Sequence, residues 1–498
     1  HQEVPEKVWC YVSKNTDRKN LESFNIQLLN HDEELVLEII DFIARPLIGD
    51  SDKEETSIFR ASWVEKENQP VDKNENQLVI LTGFEAEIIS ELQSQLGYET
   101  RLINENDEVS FFKETFEVVQ KLLKGKQKTN VSLLYPLDQQ MKFGFVSGLF
   151  KSMKHENPDF HGKTIGFDQF DRNDVKRVVR LTESELLSND EEVIFQNDIR
   201  RVKSLSANSL SFGSSPCRLR DNGIYLITGG AGGLGEITKN HLLKSGNVTI
   251  VLTGRRSRSE INIENNTRLN YFQCDVSDAK AVNQLIDQII DEYGRLDGII
   301  HSAGVEADDF IIIKNSDQIP NVLSPKITGT INLDQATRFL DLDFFICYSA
   351  LSGFLGNLGQ SDYASGNAFL DYFTKDRNKA IAQGERKGRT ISINWPLWAN
   401  GGMQVDDSSI EYLKNNWSLK PLPSEKGMEI LDNIINSDQS GQFVAIYGNQ
   451  KGFLSKFNEV SSDTNKSNDI ASIKVEVTDD HLAAKSLKYL KSILAEEL

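Results

Sequence analysis

The chain has only four cysteines in 498 residues, Cys10, Cys217, Cys274 and Cys347, and no two stand at the CxxC spacing of a zinc or redox motif. That scatter argues against a disulfide framework or a metal centre and leaves reduced, structural thiols as the expectation. No run approaches the ~18 apolar residues of a membrane helix, and the opening HQEVPEKVWC has no signal-peptide character, so a cytoplasmic location is expected. Basic residues are in deficit: 55 Lys and Arg face 74 Asp and Glu, a net charge of −19 that disfavours nucleic-acid or anionic-membrane binding.

What is present is an ordinary globular composition, 39% hydrophobic and 26% charged, long enough for roughly two to four domains. Residues 8–48 alternate apolar and polar positions in VWCYVS, SFNIQLLN and ELVLEIIDFIARPL, which predicts strands, and GDSDKEETS breaks the pattern. An apolar strand, a turn, an amphipathic helix and a second strand follow in QLVILTGFEAEIISELQSQLGYETRLI (77–103). The same order returns in IYLITGGAGGLGEITKNHLLKSGNVTIVL (224–252). The first copy has lost the glycines that admit phosphate and presents carboxylates instead, so it is expected to be structural. From residue 224 onward IYLIT, VTIVLTG, LNYFQCDV, LDGIIHSAG, DLDFFICYSA and RTISINWPLW alternate with helical stretches, which implies a parallel sheet covered on both faces. The fold class expected is α/β with two Rossmann-like, doubly wound parallel-sheet subdomains, the N-terminal one truncated and the C-terminal one catalytic. The expected boundaries are 1–48, 49–215, 216–455 and 456–498. The last of these is a polar linker, SSDTNKSND, leading to the helical AAKSLKYLKSILAEEL.

The segment TGGAGGLG closes a strand and opens a helix, the context of a dinucleotide fingerprint. Thr228, Gly229, Gly230, Gly232, Gly233, Leu234 and Gly235 would form a tight turn and bring helix N-terminal amides against a diphosphate. At the end of the next strand, Arg255 and Arg256 stand where an NAD-selective site would place a carboxylate, so NADPH is the expected cofactor. Asp275, followed by Val276, is placed to contact adenine, and Ser302, Ala303 and Gly304 end the fourth strand with small residues. Pro396 follows the sixth. Tyr363 in SDYASGNAF is the candidate acid; its unperturbed pKa of about 10 calls for a neighbouring cation. One helical turn on stands Asn367, not lysine, and Lys326, early in the helix before the fifth strand, is the candidate cation.

These motifs resemble the short-chain dehydrogenase/reductase superfamily, and specifically the ketoreductase domains of bacterial modular polyketide synthases of the trans-acyltransferase type, over residues 58–450. In that family lysine and asparagine exchange places relative to the ordinary superfamily, as Lys326 and Asn367 do here. GFVSGLFKSMKHENPDF, EEVIFQNDIRRVKSL, HSAGV, GNLGQSDYASGNAFLD and NWPLWANGGM are similar to further family segments. Residues 8–48 look like the end of a dehydratase domain, and the last helix looks like the approach to an acyl carrier protein. The resemblance implies that Tyr363 protonates the carbonyl oxygen while Lys326 binds nicotinamide ribose and lowers the tyrosine pKa, with Asn367 in support. It implies a substrate held by phosphopantetheine on a carrier protein, with dehydratase and ketosynthase neighbours, and a mobile lid in the residues after Met403.

One family position departs. The serine thirteen residues before the tyrosine, which hydrogen-bonds the substrate carbonyl, is Ala350 here. Ser349 and Ser352 are nearby hydroxyls, and Ser352 would point to the same side if the segment is extended. An alanine is also the change that engineering would make to trap a complex. Asp308 in EADD, with Leu355 where the other stereochemical class has tryptophan, resembles the B-type class that gives a D-hydroxy product. Two rival readings stand beside reduction of a carrier-bound ketone: a reductively silent scaffold, and a free-standing reductase of small ketones.

Overall fold

A computed structural model describes residues 9–15, 22–29, 35–44, 55–68, 76–125, 129–168, 174–207, 217–263, 266–401 and 407–462. The terminal AAKSLKYLKSILAEEL and residues 404–406 of the expected lid lie outside them. The chain divides into two compact units, His1–Glu54 and Glu55–Leu498. In the first, β1 (Trp9–Asn15), β2 (Glu22–Leu29) and β3 (Leu35–Ala44) form an antiparallel sheet in that order, as the alternating pattern predicts.

The second unit is built on one 14-stranded sheet. Its strands are β4 (Glu55–Glu65), β5 (Gln77–Leu81), β6 (Glu99–Leu102), β7 (Asn130–Pro136), β8 (Gly162–Phe167), β9 (Glu192–Gln196) and β10 (Ile199–Ala207). These are followed by β11 (Ile224–Thr228), β12 (Thr249–Gly254), β13 (Leu269–Gln273), β14 (Gly298–His301), β15 (Phe344–Ala350), β16 (Arg389–Trp395) and β17 (Gly441–Gly448). The spatial order is β13-β12-β11-β14-β15-β16-β17-β4-β10-β9-β8-β7-β5-β6. Each half has its own parallel, doubly wound set: β11 to β17 follow the dinucleotide-binding order, and β5 to β9 a shorter flavodoxin-like one. The two halves share the sheet because β4 pairs antiparallel with β17 on one side and with β10 on the other.

Helices cover both faces. The first half carries α1 (Ala86–Gln95), α2 (Glu108–Lys124), α3 (Gln140–Phe143), α4 (Ser147–Glu156) and α5 (Val175–Glu185). The second carries α6 (Gly233–Ser245), α7 (Ala279–Tyr293), α8 (Ile319–Lys326), α9 (Thr328–Ala336) and α10 (Leu351–Leu355), then α11 (Ser361–Ala382), α12 (Asp407–Trp417), α13 (Ser424–Asn436) and α14 (Gln450–Ser462). Every residue of IYLIT in β11 is buried, as a two-sided parallel strand requires. Leu226, Val251, Ile299 and Phe345 feed one core cluster, whereas Ile227, Ile250, Ile300 and Ile346 feed another. No helix among the described residues is long and apolar enough to cross a membrane.

In the first half, the turn after β5 is packed instead of open. A Cβ on Gly83 (φ +74°) would lie 2.5 Å from Phe143 Cε2 and 3.1 Å from Pro136 Cδ, and Phe84 beside it is buried. Lys326 departs from the sequence expectation. Pro325 stands inside α8, and the backbone turns at Ile327 (φ −86°, ψ −71°) before α9 begins, so Lys326 ends a short helix instead of opening a long one.

Candidate active site

The strand order reverses between β11 and β14, which opens a crevice at their C-terminal ends. Thr228 ends β11, and the chain turns through Gly229 (φ +64°), a conformation in which a side chain would be strained. Gly229 also passes Ala303 so closely that a Cβ would lie 2.9 Å from Ala303 Cα, and a Cβ on Gly235 would meet Gly229 O at 2.5 Å. Gly232 N donates to Gly229 O at 2.9 Å and closes the turn next to Gly230. Helix α6 then starts at Gly233, with Leu234 partly buried behind it, and no side chain caps its first amides. An uncapped helix N-terminus behind a glycine cradle fits the diphosphate of a dinucleotide.

Of the two arginines, the structure brings only Arg256 to this turn: its Nη2 donates to Ala231 O at 2.8 Å. The Arg255 side chain is exposed, and its carbonyl accepts from Gln273 Nε2 at 2.9 Å. Asp275 lies exposed beyond β13 with Oδ1 on Ser277 N at 2.9 Å, while Val276 is buried and its carbonyl accepts from Asn332 Nδ2 at 2.9 Å. Ser302 Oγ donates to Thr228 O at 2.7 Å. Pro396 is buried directly after β16.

His301, the last residue of β14, holds this corner together. Its Nε2 donates to Pro325 O at 3.0 Å, so Nδ1 accepts from Thr228 Oγ1 at 2.7 Å and the ring is neutral. Burial, followed by the Lys326 charge, pushes its pKa from 6.5 down to about 3. The unfolded chain therefore takes up a proton near 6.5 that the folded chain refuses, and the contribution present above that pH is lost as pH falls toward 3. The window corresponds to roughly 4–5 kcal/mol. Urea unfolding at pH 7 and pH 5 is expected to show the parent losing about 2 kcal/mol more than His301→Asn, and equal losses would remove His301 as the acid-sensitive group.

Lys326 is 3% exposed and runs between two glycines. A Cβ on Gly304 would lie 3.2 Å from its Cε, and one on Gly366 3.2 Å from its Cδ. Its Nζ donates to Tyr348 O at 3.3 Å and lies 5.3 Å from the centroid of the Tyr363 ring. Asn367 Nδ2 donates to Tyr363 O at 2.8 Å, and among the described residues its buried Oδ1 has no hydrogen-bond partner. Burial lowers the Lys326 pKa to about 8. It pushes the Tyr363 phenol up, reinforced by the Glu306 and Asp308 charges, with the Asn367 side chain opposing. That direction is opposite to the expected lowering by Lys326, because burial dominates the balance. The phenol consequently keeps its proton at neutral pH.

Ala350 is the last residue of β15 and the N-cap of α10 (φ −135°, ψ 156°), and it is partly exposed. Ser349 cannot stand in for a hydroxyl there: it is buried, donates to Asn367 O at 3.1 Å and accepts from Asn394 Nδ2 at 2.9 Å. The segment holding Ser352 is helical and not extended, which removes the premise for its pointing to the same side; its buried hydroxyl has no hydrogen-bond partner among the described residues. Asp308 Oδ2 accepts from Gln360 Nε2 at 2.9 Å. Leu355 packs beside Phe354 and Trp417 and lines a cavity of about 360 Å³ that none of Tyr363, Lys326 or the glycine turn reaches.

A family model described as KR domain matches residues 223–400, and one described as Beta-ketoacyl synthase-like, N-terminal, matches residues 88–185 in the first half of the sheet. The crystal structure of a ketoreductase domain from the bacillaene assembly line is 30% identical with a TM-score of 0.72, covering 81% of this chain and 99% of that chain. The chain belongs to the ketoreductase domains of polyketide synthases. The ketoreductase is also 31% identical to Polyketide synthase PksN of Bacillus subtilis (strain 168) over 471 residues, 89% of this chain and 8% of that protein. To Polyketide synthase PksL of the same strain it is 29% identical over 97% of this chain and 11% of that protein. It thus spans about a tenth of these relatives.

Ketoreductases of this superfamily bind a nicotinamide cofactor, and the cradle at Gly229 to Gly235, the Lys326 ammonium and the open Asn367 oxygen fit one. Sequence reasoning missed Lys314, which carries no local signal: its Nζ meets Asp362 Oδ2 at 2.8 Å with both side chains 1% exposed, anchoring the residue before Tyr363. Away from this site the ligand atoms of Cys217, His241 and Asp432 gather within 4.8 Å. Burial and Asp432 push the Cys217 thiol up to about 12, so it stays protonated beside a carboxylate that already accepts from His241 Nε2 at 2.7 Å.

Proposed function

We propose that this domain uses NADPH to reduce a keto group of an acyl chain carried on phosphopantetheine by an acyl carrier protein, giving the D-hydroxy product of the B-type class. The observation that carries the reading is the grouping of Lys326, Tyr363 and Asn367 at the C-terminal side of β15, next to the glycine cradle. The cofactor, when bound, supplies a hydride. Tyr363 holds its proton in a buried setting and delivers it from Oη to the carbonyl oxygen, while Lys326 stabilises the phenolate left behind. Asp308 is proposed to set the face of attack, with Gln360 orienting it. Asp275, Val276, Ser302, Ala303, Gly304 and Pro396 are proposed to line the cofactor, and α12 to belong to a lid. Neighbouring dehydratase and ketosynthase domains, a trans-acyltransferase assembly line and a cytoplasmic setting complete the proposal.

The preference for NADPH rests on Arg256, which reaches the glycine turn where a 2′-phosphate would lie beside it. Losing one charge-assisted contact costs about 1.5–3 kcal/mol, so Arg256→Ala is expected to raise the NADPH KM roughly tenfold to a hundredfold and leave the NADH KM unchanged. The deciding assay follows NADPH oxidation with a β-ketoacyl pantetheine thioester, free and carrier-bound. A carrier-bound substrate that fails to outcompete the free thioester would favour a free-standing reductase. A silent scaffold is favoured by one observation only, Ala350, and absence of NADPH binding would establish it.

A further inference from the structure

Helix α4 belongs to the first half of the sheet, yet along its length it meets the segments that frame the active site of the second. Gly148 has no room for a side chain, since a Cβ would lie 2.4 Å from Ser365 N and 2.6 Å from Ala364 C, immediately after Tyr363. Lys151 Nζ donates to Phe354 O at 2.8 Å, Ser152 Oγ accepts from Asn357 N at 3.3 Å, and His155 Nε2 donates to Leu355 O at 2.9 Å. At the end of the helix Glu156 Oε2 accepts from Ile311 N at 2.7 Å, and Oε1 accepts from Gly359 N at 3.2 Å. Asp309 N donates to Gly359 O at 3.0 Å, so the two loops also meet each other. One of them carries Asp308 and the other Gln360, and the second runs straight into Tyr363.

We infer that Glu156 is a positioning residue for the reduction: one carboxylate, bound to Ile311 N and Gly359 N together, sets the separation of the two loops and thereby the face of the ketone that Tyr363 meets. The inference rests on the reductase reading above. A group with a single acceptor atom would hold one loop and free the other, whereas a carboxylate holds both because its two oxygens lie on one rigid plane. Burial pushes the Glu156 carboxyl upward, while the two amide donors and the Lys314 charge favour the ionised form that accepts from both loops. Removing the carboxylate leaves two backbone donors without their acceptor, and the loops must shift to find water or new partners.

The test compares Glu156→Ala and Glu156→Gln with the parent, and repeats each in the Ala350→Ser background. The readouts are kcat/KM for a β-ketoacyl pantetheine thioester, the enantiomer ratio of the hydroxy product by chiral chromatography, NADPH Kd by fluorescence, and Tm. Because displacement of a reacting group by about 1 Å costs up to about a hundredfold, Glu156→Ala is expected to lower kcat/KM roughly tenfold to a hundredfold. The minor enantiomer is expected to rise severalfold with NADPH Kd unchanged, and Glu156→Gln to fall between, since it keeps one acceptor oxygen. A lowered Tm with an unchanged enantiomer ratio and kcat/KM in a folded variant would make Glu156 merely structural and overturn the inference. If Glu156→Ala does not fold, Glu156→Gln decides alone by the same ratio. Should neither parent nor Ala350→Ser turn over while NADPH still binds, the reductase reading itself fails and this inference falls with it.

Discussion

Replacing Tyr363 by phenylalanine is expected to lower the rate of ketone reduction about 10²–10⁴-fold, the usual contribution of a placed general acid. The structure separates this loss from any structural damage. The hydrogen bond that ties Tyr363 into α11 runs from Asn367 Nδ2 to the tyrosine backbone carbonyl, so phenylalanine keeps it. The ring face presented to the Lys326 ammonium is likewise kept, and with it the contact 5.3 Å from the centroid. NADPH affinity and Tm should therefore match the parent while turnover collapses. Steady-state NADPH oxidation read beside a fluorescence titration checks both halves, and a variant that keeps more than about a tenth of the parental rate would remove Tyr363 as the acid.

Ala350→Ser is expected to raise the rate by about 10²–10³, the size of effect seen when one donor to a developing oxyanion is removed. It should also raise stability. Position 350 is the N-cap of α10 and has no side-chain cap now, and serine in place of alanine at an N-cap contributes about 0.5–2 kcal/mol. A hydroxyl can accept from a helix amide and donate its proton to a substrate carbonyl at once, so the two gains do not exclude each other. Tm and kcat/KM measured on the same preparation separate three outcomes. A rise in both fits a site lacking one donor; a rise in Tm alone means that the hydroxyl is consumed by the helix; a rise in neither means that the side chain faces away from both.

Much of this site was legible because its determinants are local. TGGAGGLG reads as a turn from its glycines alone, and Tyr363 and Asn367 are one helical turn apart in any α-helix. Lys326 lies beside Tyr363 but ends a short helix instead of opening a long one, although Pro325 in SPK is a signal for the break that places the lysine at a helix end. Choosing between Arg255 and Arg256 requires the direction in which β12 leaves the sheet, which a pair of adjacent arginines does not encode. The sign of the Tyr363 shift is set first by burial and then by the Glu306 and Asp308 charges, a matter of three-dimensional placement. β17 escaped because GQFVAIYG, read alone, is a short apolar run without a phosphate motif or a turn signature. Glu156 left no trace, since a glutamate at the end of a lysine-rich helix looks like a solvated residue until Ile311 and Gly359 are folded against it.

The strand β4 has a kinetic consequence. It is flanked by β10, whose paired residues lie about 140 positions further along the chain, and by β17, nearly 400 away, so the sheet can be completed only by contacts of very high sequence separation. Such pairing has a large loop-closure cost before it gains anything, and chains dominated by it fold slowly. Until β17 is made and docks, β4 presents an unpaired edge, and so does each half if the other is removed; open edges of this kind invite pairing with other chains. The ketoreductase is therefore a unit of synthesis as much as of catalysis: cutting between its halves would yield two aggregation-prone pieces and not an enzyme with a detachable support.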